Sequence, residues 1–192
     1  MPPLDRGQGR ALLELARRSV TEAAALGRAA AIAVPASLED PPAGVFVTLR
    51  QRGRLRGCIG CLGPLETLAA SVVRCAASAA VEDPRFARVR SEEVPGLEIE
   101  ISMLSAPQRA SPGGIRVGEH GLLVTRGGLR GLLLPQVAIQ YHWTAERFLE
   151  ETCAKAGLER DAWRNPATRI ETFTAEVISE AEFCGEQKAR AG

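Results

Sequence analysis

Arg54-Leu55-Arg56-Gly57-Cys58-Ile59-Gly60 is the stretch whose reading decides the fold. Upstream of it lie a short apolar run, Val45-Phe46-Val47-Thr48-Leu49, and a polar turn, Arg50-Gln51-Arg52-Gly53. Strand, tight turn and second strand make a hairpin that carries a cysteine. Glycines flank the pair Cys58-Ile59, and glycine inside a strand marks a bulge or a close approach by another group. Helical signal follows at Pro64-Leu65-Glu66, with Pro64 suited to a first helical position. The thiol therefore sits near a strand end that faces a helix start, a position where ligands are often held.

Working outward, residues Gln8 to Ala33 read as a first helix. Leu12, Ala16, Ala23 and Leu26 recur near the helical period, and Pro35 ends the run. Ser37 to Gly44, with Pro41-Pro42, reads as a linker. Beyond the hairpin, a helix is expected from Pro64 to about Val81, with Leu65, Leu68, Val72, Cys75 and Ala79 as its buried stripe. Asp83-Pro84-Arg85-Phe86 breaks it. Leu97 to Leu104 then alternates as a strand with one buried face.

The second half restates the first. Leu122-Leu123-Val124-Thr125, the turn Arg126-Gly127-Gly128 and Leu129 to Leu134 form another hairpin, and Pro135 opens a helix as Pro64 does. Leu-Arg-Gly occurs at 55–57 and at 129–131, with Val-Thr upstream at 47–48 and 124–125. A helix from Thr144 to Ala156 has Thr144 as N-cap and Gly157 as the closing glycine. Ile170 to Ile178 reads as a returning strand, counterpart of 97–104. The pattern predicts a duplicated unit of hairpin, helices and returning strand, about 44–105 and 115–180. The thiol is not duplicated: Leu132 stands in the place of Cys58.

Composition bounds the function. The 192 residues suit one domain or two small lobes, and a net charge of +1 gives no general attraction to nucleic acid or membrane. All but two of the 24 basic residues are arginines, spread along the chain, the exceptions being Lys155 and Lys188. No apolar run reaches the ~18 residues of a membrane helix, and the N-terminus reads as free of a secretory signal. Cysteines at 58, 61, 75, 153 and 184 are odd in number without framework spacing, so free thiols in a reducing, cytoplasmic setting are expected.

Among chemical candidates, Cys58 is either a nucleophile or covalent carrier, or a small packed side chain. Cys58-Ile59-Gly60-Cys61 is formally a C-x-x-C, but residues i and i+3 of a strand point to opposite faces. No second such pair exists, and His120 and His142 lack metal-ligand spacing, so no metal is assigned. His120, between glycines in Val117-Gly118-Glu119-His120-Gly121, suits a general base or orienter, or a turn histidine capping backbone groups. Arg85 suits an anion anchor, or Asp83-Pro84-Arg85-Phe86 is a rigid turn with Phe86 in the core. Tyr141, His142 and Trp143 either wall a ligand pocket or close the core. P-loop, dinucleotide-binding and nucleophile-elbow patterns are absent from the sequence.

Leu55-Arg56-Gly57-Cys58-Ile59-Gly60 resembles the signature of the AMMECR family. Asp83 to Phe86, Val117 to Gly121, Leu134-Pro135-Gln136-Val137-Ala138, Trp143, the Cys153 to Leu158 segment and Trp163 add to the resemblance, which spans roughly residues 8 to 180. Cys61 lies outside the signature, and the family usually has glycine where this chain has His142. The resemblance implies a duplicated α+β fold with mostly antiparallel sheets, a single two-lobed domain over 8–180, with the N-terminal helix 8–33, a tail at 181–192 and the signature lining a cleft between lobes. It also implies partnership with a Memo-type protein and a radical SAM enzyme, this chain resembling the A component of that system. The expected function is an enzyme, or enzyme component, acting on a small molecule. Its catalytic pair would be Cys58 and His120, with Arg56, Gly57, Gly60, Arg85, Gln136 and Trp143 binding substrate and no cofactor assigned. The alternative is a binding or adaptor module.

Overall fold

The computed structural model describes residues 4–29, 32–34, 43–63 and 66–182. The chain divides into two compact units, one of residues 1–103 with 176–192 and one of residues 104–175. Both combine helices with an antiparallel sheet. In the first unit, helix α1 (Arg6–Leu26) opens on a capping box in which Asp5 accepts from the Gln8 N–H while the Gln8 side chain accepts from Asp5. It stops at Gly27, whose φ of +66° is left-handed. The Ala-rich pattern had extended this helix to Ala33; glycine in the left-handed region closes it at Leu26 instead. Pro35, expected to end it, lies outside the described residues.

Strands β1 (Gly44–Gln51) and β2 (Arg54–Leu62) pair antiparallel across Arg52 and Gly53, both at positive φ, which is the two-residue hairpin turn that matches strand twist. Helix α2 (Leu68–Val81) follows, capped by Thr67 accepting from the Ala70 N–H. The helix thus starts after Pro64 and Leu65, which lie outside the described residues. Instead of burying one stripe, α2 is buried almost all round, which small residues such as Ala76, Ala77 and Ala80 permit. It packs on β1 and β2 on one side and on α1 on the other, where the Ser19 hydroxyl donates to the Val73 carbonyl at 2.6 Å. Strand β3 (Leu97–Leu104) completes the interior of the sheet, whose order is β2-β1-β3-β8. β2 is therefore an edge strand.

The second unit repeats this order. Strands β5 (Gly121–Arg126) and β6 (Leu129–Leu133) form its hairpin, and β7 (Arg169–Phe173) pairs with β5 and with the short β4 (Gln108–Arg109). Its sheet order β4-β7-β5-β6, read from the other end, places hairpin, returning strand and short strand as in the first. Helices α3 (Pro135–Gln140) and α4 (Ala145–Lys155) follow, with Thr144 accepting from the Arg147 N–H and Gly157 at φ +75° past the end. The expected single strand from Ile170 to Ile178 is two strands. The chain leaves one sheet at Thr174, where backbone and side chain of Ser105 hold it, and enters the other as β8 (Ala175–Ser179).

The duplication is clearest at two glycines. A Cβ on Gly57 would lie 2.1 Å from the Ala79 carbonyl oxygen of α2, and one on Gly131 2.5 Å from that of Thr152 in α4. In each unit a glycine lets the hairpin's second strand touch a helix backbone. Aligning these glycines equates Leu49 with Val124, their cross-strand partners. The Val-Thr match read from sequence is thus two residues out of structural register. Gly57→Ala and Gly131→Ala should each cost at least about 2 kcal/mol, because helix backbone has to move. Gly128→Ala, with open space around it, should stay within about 0.5 kcal/mol in the same urea unfolding measurement.

Candidate functional site

The signature strand is shaped by three local features. Between Leu49↔Gly57 and Arg50↔Leu55 the register slips, leaving Arg56 as the extra residue of a β-bulge. Gly60 lies opposite Phe46, and a Cβ there would be 2.2 Å from the Phe46 ring. Close approach accounts for both glycines, by the α2 backbone at Gly57 and by the Phe46 ring at Gly60.

Cys58 pairs with Thr48, and its own N–H and C=O point away from β1 along the open edge. The N–H donates to Asp83 Oδ2 at 2.8 Å and the carbonyl accepts from Arg85 Nη2 at 3.1 Å. Asp83 and Arg85 are themselves joined, Nε to Oδ1 at 2.9 Å and Nη2 to Oδ2 at 2.7 Å. An acceptor and a donor locked side by side supply what a neighbouring strand would supply to an edge peptide. The Asp83 side chain is 2% exposed, while that of Arg85 is 54% exposed. The Arg85 guanidinium, with help from the Cys58 and Arg85 N–H groups and against the cost of burial, holds the Asp83 pKa down at about 2.

The sulfur faces a different neighbour. Thr48, itself buried, places its hydroxyl 3.3 Å from Cys58 Sγ and donates to it. Cys58 is partly exposed and unoxidised. Asp83 favours the charged form of Arg85, as does Cys58 to a smaller degree. Pairing with Asp83 uses Nε and Nη2 of Arg85, and the side chain remains half exposed. In the second unit the corresponding pair is Leu123 opposite Leu132, both buried. A cysteine beside a threonine thus occupies a position where the duplicate packs two leucines.

The other expected residues have different surroundings. Arg56, expected to bind substrate, is only 15% exposed and ties down the segment after Phe86. It donates to both Glu93 carboxylate oxygens, at 3.0 and 3.1 Å, and to the Ala87 and Arg88 carbonyls at 2.7 and 3.2 Å. These bonds tie the side chain of the bulge residue to the protein's own 87–93 segment. His120 belongs to the second unit, where its Nδ1 accepts from the Arg116 N–H at 3.2 Å and Nε2 faces Arg116 Nη2 at 3.2 Å. A neutral imidazole has one lone pair to offer, so only one of these contacts is a hydrogen bond. The geometry is that of a turn histidine. Gln136 is a partly buried residue of α3.

Trp143 stacks on the exposed Tyr141 at 5.1 Å and packs against Phe148 in the core of its unit. His142 between them has φ +53°, a backbone position that suits glycine. The C-x-x-C is resolved as strand geometry dictates, Cys61 lying on the opposite face from Cys58. The second unit also carries a groove of about 470 Å³ lined by Arg109, Trp163, Arg164 and Arg169, and none of the catalytic or substrate-binding residues expected from sequence lines it. Sequence reading missed Asp83 and Thr48. Thr48 was recoverable from hairpin register, whereas the reach of Asp83 to Cys58 spans a helix.

Comparison with known proteins places the chain. The AMMECR1 family model matches residues 13–178. A protein of Methanothermobacter thermautotrophicus is 43% identical over 188 residues, covering 93% of this chain and 97% of its own. Protein PF1979 of Pyrococcus furiosus is 41% identical, with 90% and 88% covered. The crystal structure of uncharacterized protein PH0010 from Pyrococcus horikoshii superposes with a TM-score of 0.81 at 39% identity, over 88% of this chain and 89% of that one.

The depressed Asp83 pKa has a stability consequence. A carboxyl with a folded pKa of about 2 against an ordinary 3.8 contributes stability that is complete above pH 4 and is lost as pH falls toward 2. Asp83→Asn should lower stability by about 2 kcal/mol at pH 7, and should flatten the loss between pH 4 and 2. Urea unfolding across that range measures both, and an acid limb identical to the unmodified chain contradicts the assignment.

Proposed function

The chain belongs to the AMMECR1 family, and we propose that within it the chain acts as an enzyme or enzyme component on a small molecule, with Cys58 as the reacting thiol. The supporting observation is the fixed peptide of Cys58. With N–H and C=O both held by the Asp83–Arg85 pair, the partly exposed sulfur is carried on a backbone that cannot drift. Positioning of this kind is what a nucleophile or covalent carrier needs. The half-exposed guanidinium of Arg85 is suited to a carboxylate or phosphate on the substrate. The family resemblance adds a Memo-type protein and a radical SAM enzyme as working partners.

One observation favours a second reading. The firmest contacts around Cys58 go to its backbone, and its sulfur meets the Thr48 hydroxyl and the influence of the Arg85 guanidinium. A rigid recognition surface for a ligand or partner protein, with no chemistry of its own, would be built in the same way. Cys58→Ser and Cys58→Ala, assayed for turnover together with the Memo-type and radical SAM proteins, separate the two. A reacting thiol predicts that both variants lose at least about 100-fold in rate while the urea midpoint stays close to that of the unmodified chain. Full activity in both variants supports the adaptor reading.

A further inference from the structure

Three residues beyond Cys58, β2 carries a second thiol on its other face. Cys61 lies opposite Val45, a core residue, and packs against the cluster beneath α2. There its sulfur is 3.7 Å from the sulfur of Cys75, and the Cys75 thiol is also 3.8 Å from the Val45 carbonyl oxygen. Both cysteines are unoxidised, but they differ in access: Cys61 is partly exposed and Cys75 is fully buried. Arg74, exposed on the preceding residue of α2, acts on Cys61 electrostatically and is itself paired with Glu66 at 2.6 Å. The charged and titratable groups facing the pair are therefore Arg74 and Glu66.

These neighbours divide the two thiols. The Cys75 S–H and then the Arg74 charge favour the Cys61 thiolate, against burial, and hold its pKa down at about 6. Cys75 moves the other way, keeping its proton as donor to Cys61 within an apolar surround. One thiol is accessible and favoured as the thiolate, and the other is sealed and favoured as the thiol within reach of it. That is the arrangement of an attacking and a resolving cysteine. Among the described residues no group of three or more His, Cys, Asp or Glu side chains is placed to hold a metal ion.

We propose that Cys61 and Cys75 form a thiol–disulfide site, in which Cys61 reacts with a low-molecular-weight disulfide and Cys75 resolves the adduct into a bond joining β2 to α2. The Cys61 thiolate attacks one sulfur of the reagent, whose S–S bond breaks and releases a first small thiolate that takes a proton from water. Cys75 then attacks the Cys61 sulfur and expels the second small thiolate, which leaves with the Cys75 proton. Two protein thiols and one disulfide become one protein disulfide and two small thiols. The protein is oxidised by two electrons and the reagent is reduced by two. Closing the bond brings the sulfurs from 3.7 Å to ~2.05 Å. The staple ends three residues from Cys58 on the same strand, so oxidation acts on the strand that carries the signature thiol.

The probe is oxidised glutathione, applied to the full chain at pH 7, followed by alkylation of remaining thiols and peptide mapping by mass spectrometry. The unmodified chain should yield a linked Cys61–Cys75 peptide pair. In Cys75→Ser and Cys75→Ala, glutathione should remain on Cys61, while in Cys61→Ser the Cys75 thiol should stay reduced. Cys61 should also react about tenfold or more faster than the buried Cys153 of the second unit. Two substitutions at Cys75 guard against a folding defect in either one. Absence of the linked pair, or a Cys61 adduct in the unmodified chain as persistent as in the Cys75 variants, overturns the proposal.

Discussion

An edge strand leaves a row of backbone groups without partners, and the fold of the first unit depends on how β2 resolves this at Cys58. The solution is an ion pair used as a peptide. Asp83 offers an oxygen where a neighbouring strand would offer a carbonyl, and Arg85 offers an N–H. Because the two side chains also bond to each other, neither turns away without losing two contacts. The buried carboxylate has its guanidinium partner and the Cys58 N–H, so its charge is compensated where burial alone would neutralise it.

The rest of the signature serves the same edge. Arg56, the bulge residue, bonds the Ala87 and Arg88 carbonyls and Glu93, so the segment after Phe86 is tied to β2. Gly57 lets α2 lie against the strand from one face, and Gly60 makes room for Phe46 on the other. Comparison of the two units separates architecture from chemistry. Gly57 and Gly131 share one packing task, whereas Cys58 with Thr48 and Leu132 with Leu123 do not. The polar pair is the feature that packing does not require.

Local order was largely legible in the sequence. The hairpins, the N-cap at Thr144, the glycine at 157 and the repeated unit all follow from short-range pattern and turn chemistry. The failures have physical causes. Alanine supports helix past Leu26 in propensity, but Gly27 takes a left-handed conformation that ends it. Ile170 to Ile178 carries strand residues throughout, and nothing local announces that Thr174 hands the chain from one sheet to the other. At the site, Cys58 and Arg85 were visible as types, but Asp83 reaches a residue 25 positions away. Cys75 was placed on a buried stripe, and its meeting with Cys61 depends on which face of β2 turns toward α2.

The central claim is that the Asp83–Arg85 pair holds the outward peptide of Cys58. Amide hydrogen exchange of the Cys58 N–H tests it most directly, followed at neutral pH in the full chain and in Asp83→Ala, with the inward-bonded Ile59 N–H as the internal reference. The account predicts a Cys58 amide protected to a degree similar to Ile59, and a rate relative to Ile59 that rises at least about tenfold in the variant. A Cys58 amide that exchanges at the same relative rate in both proteins contradicts it.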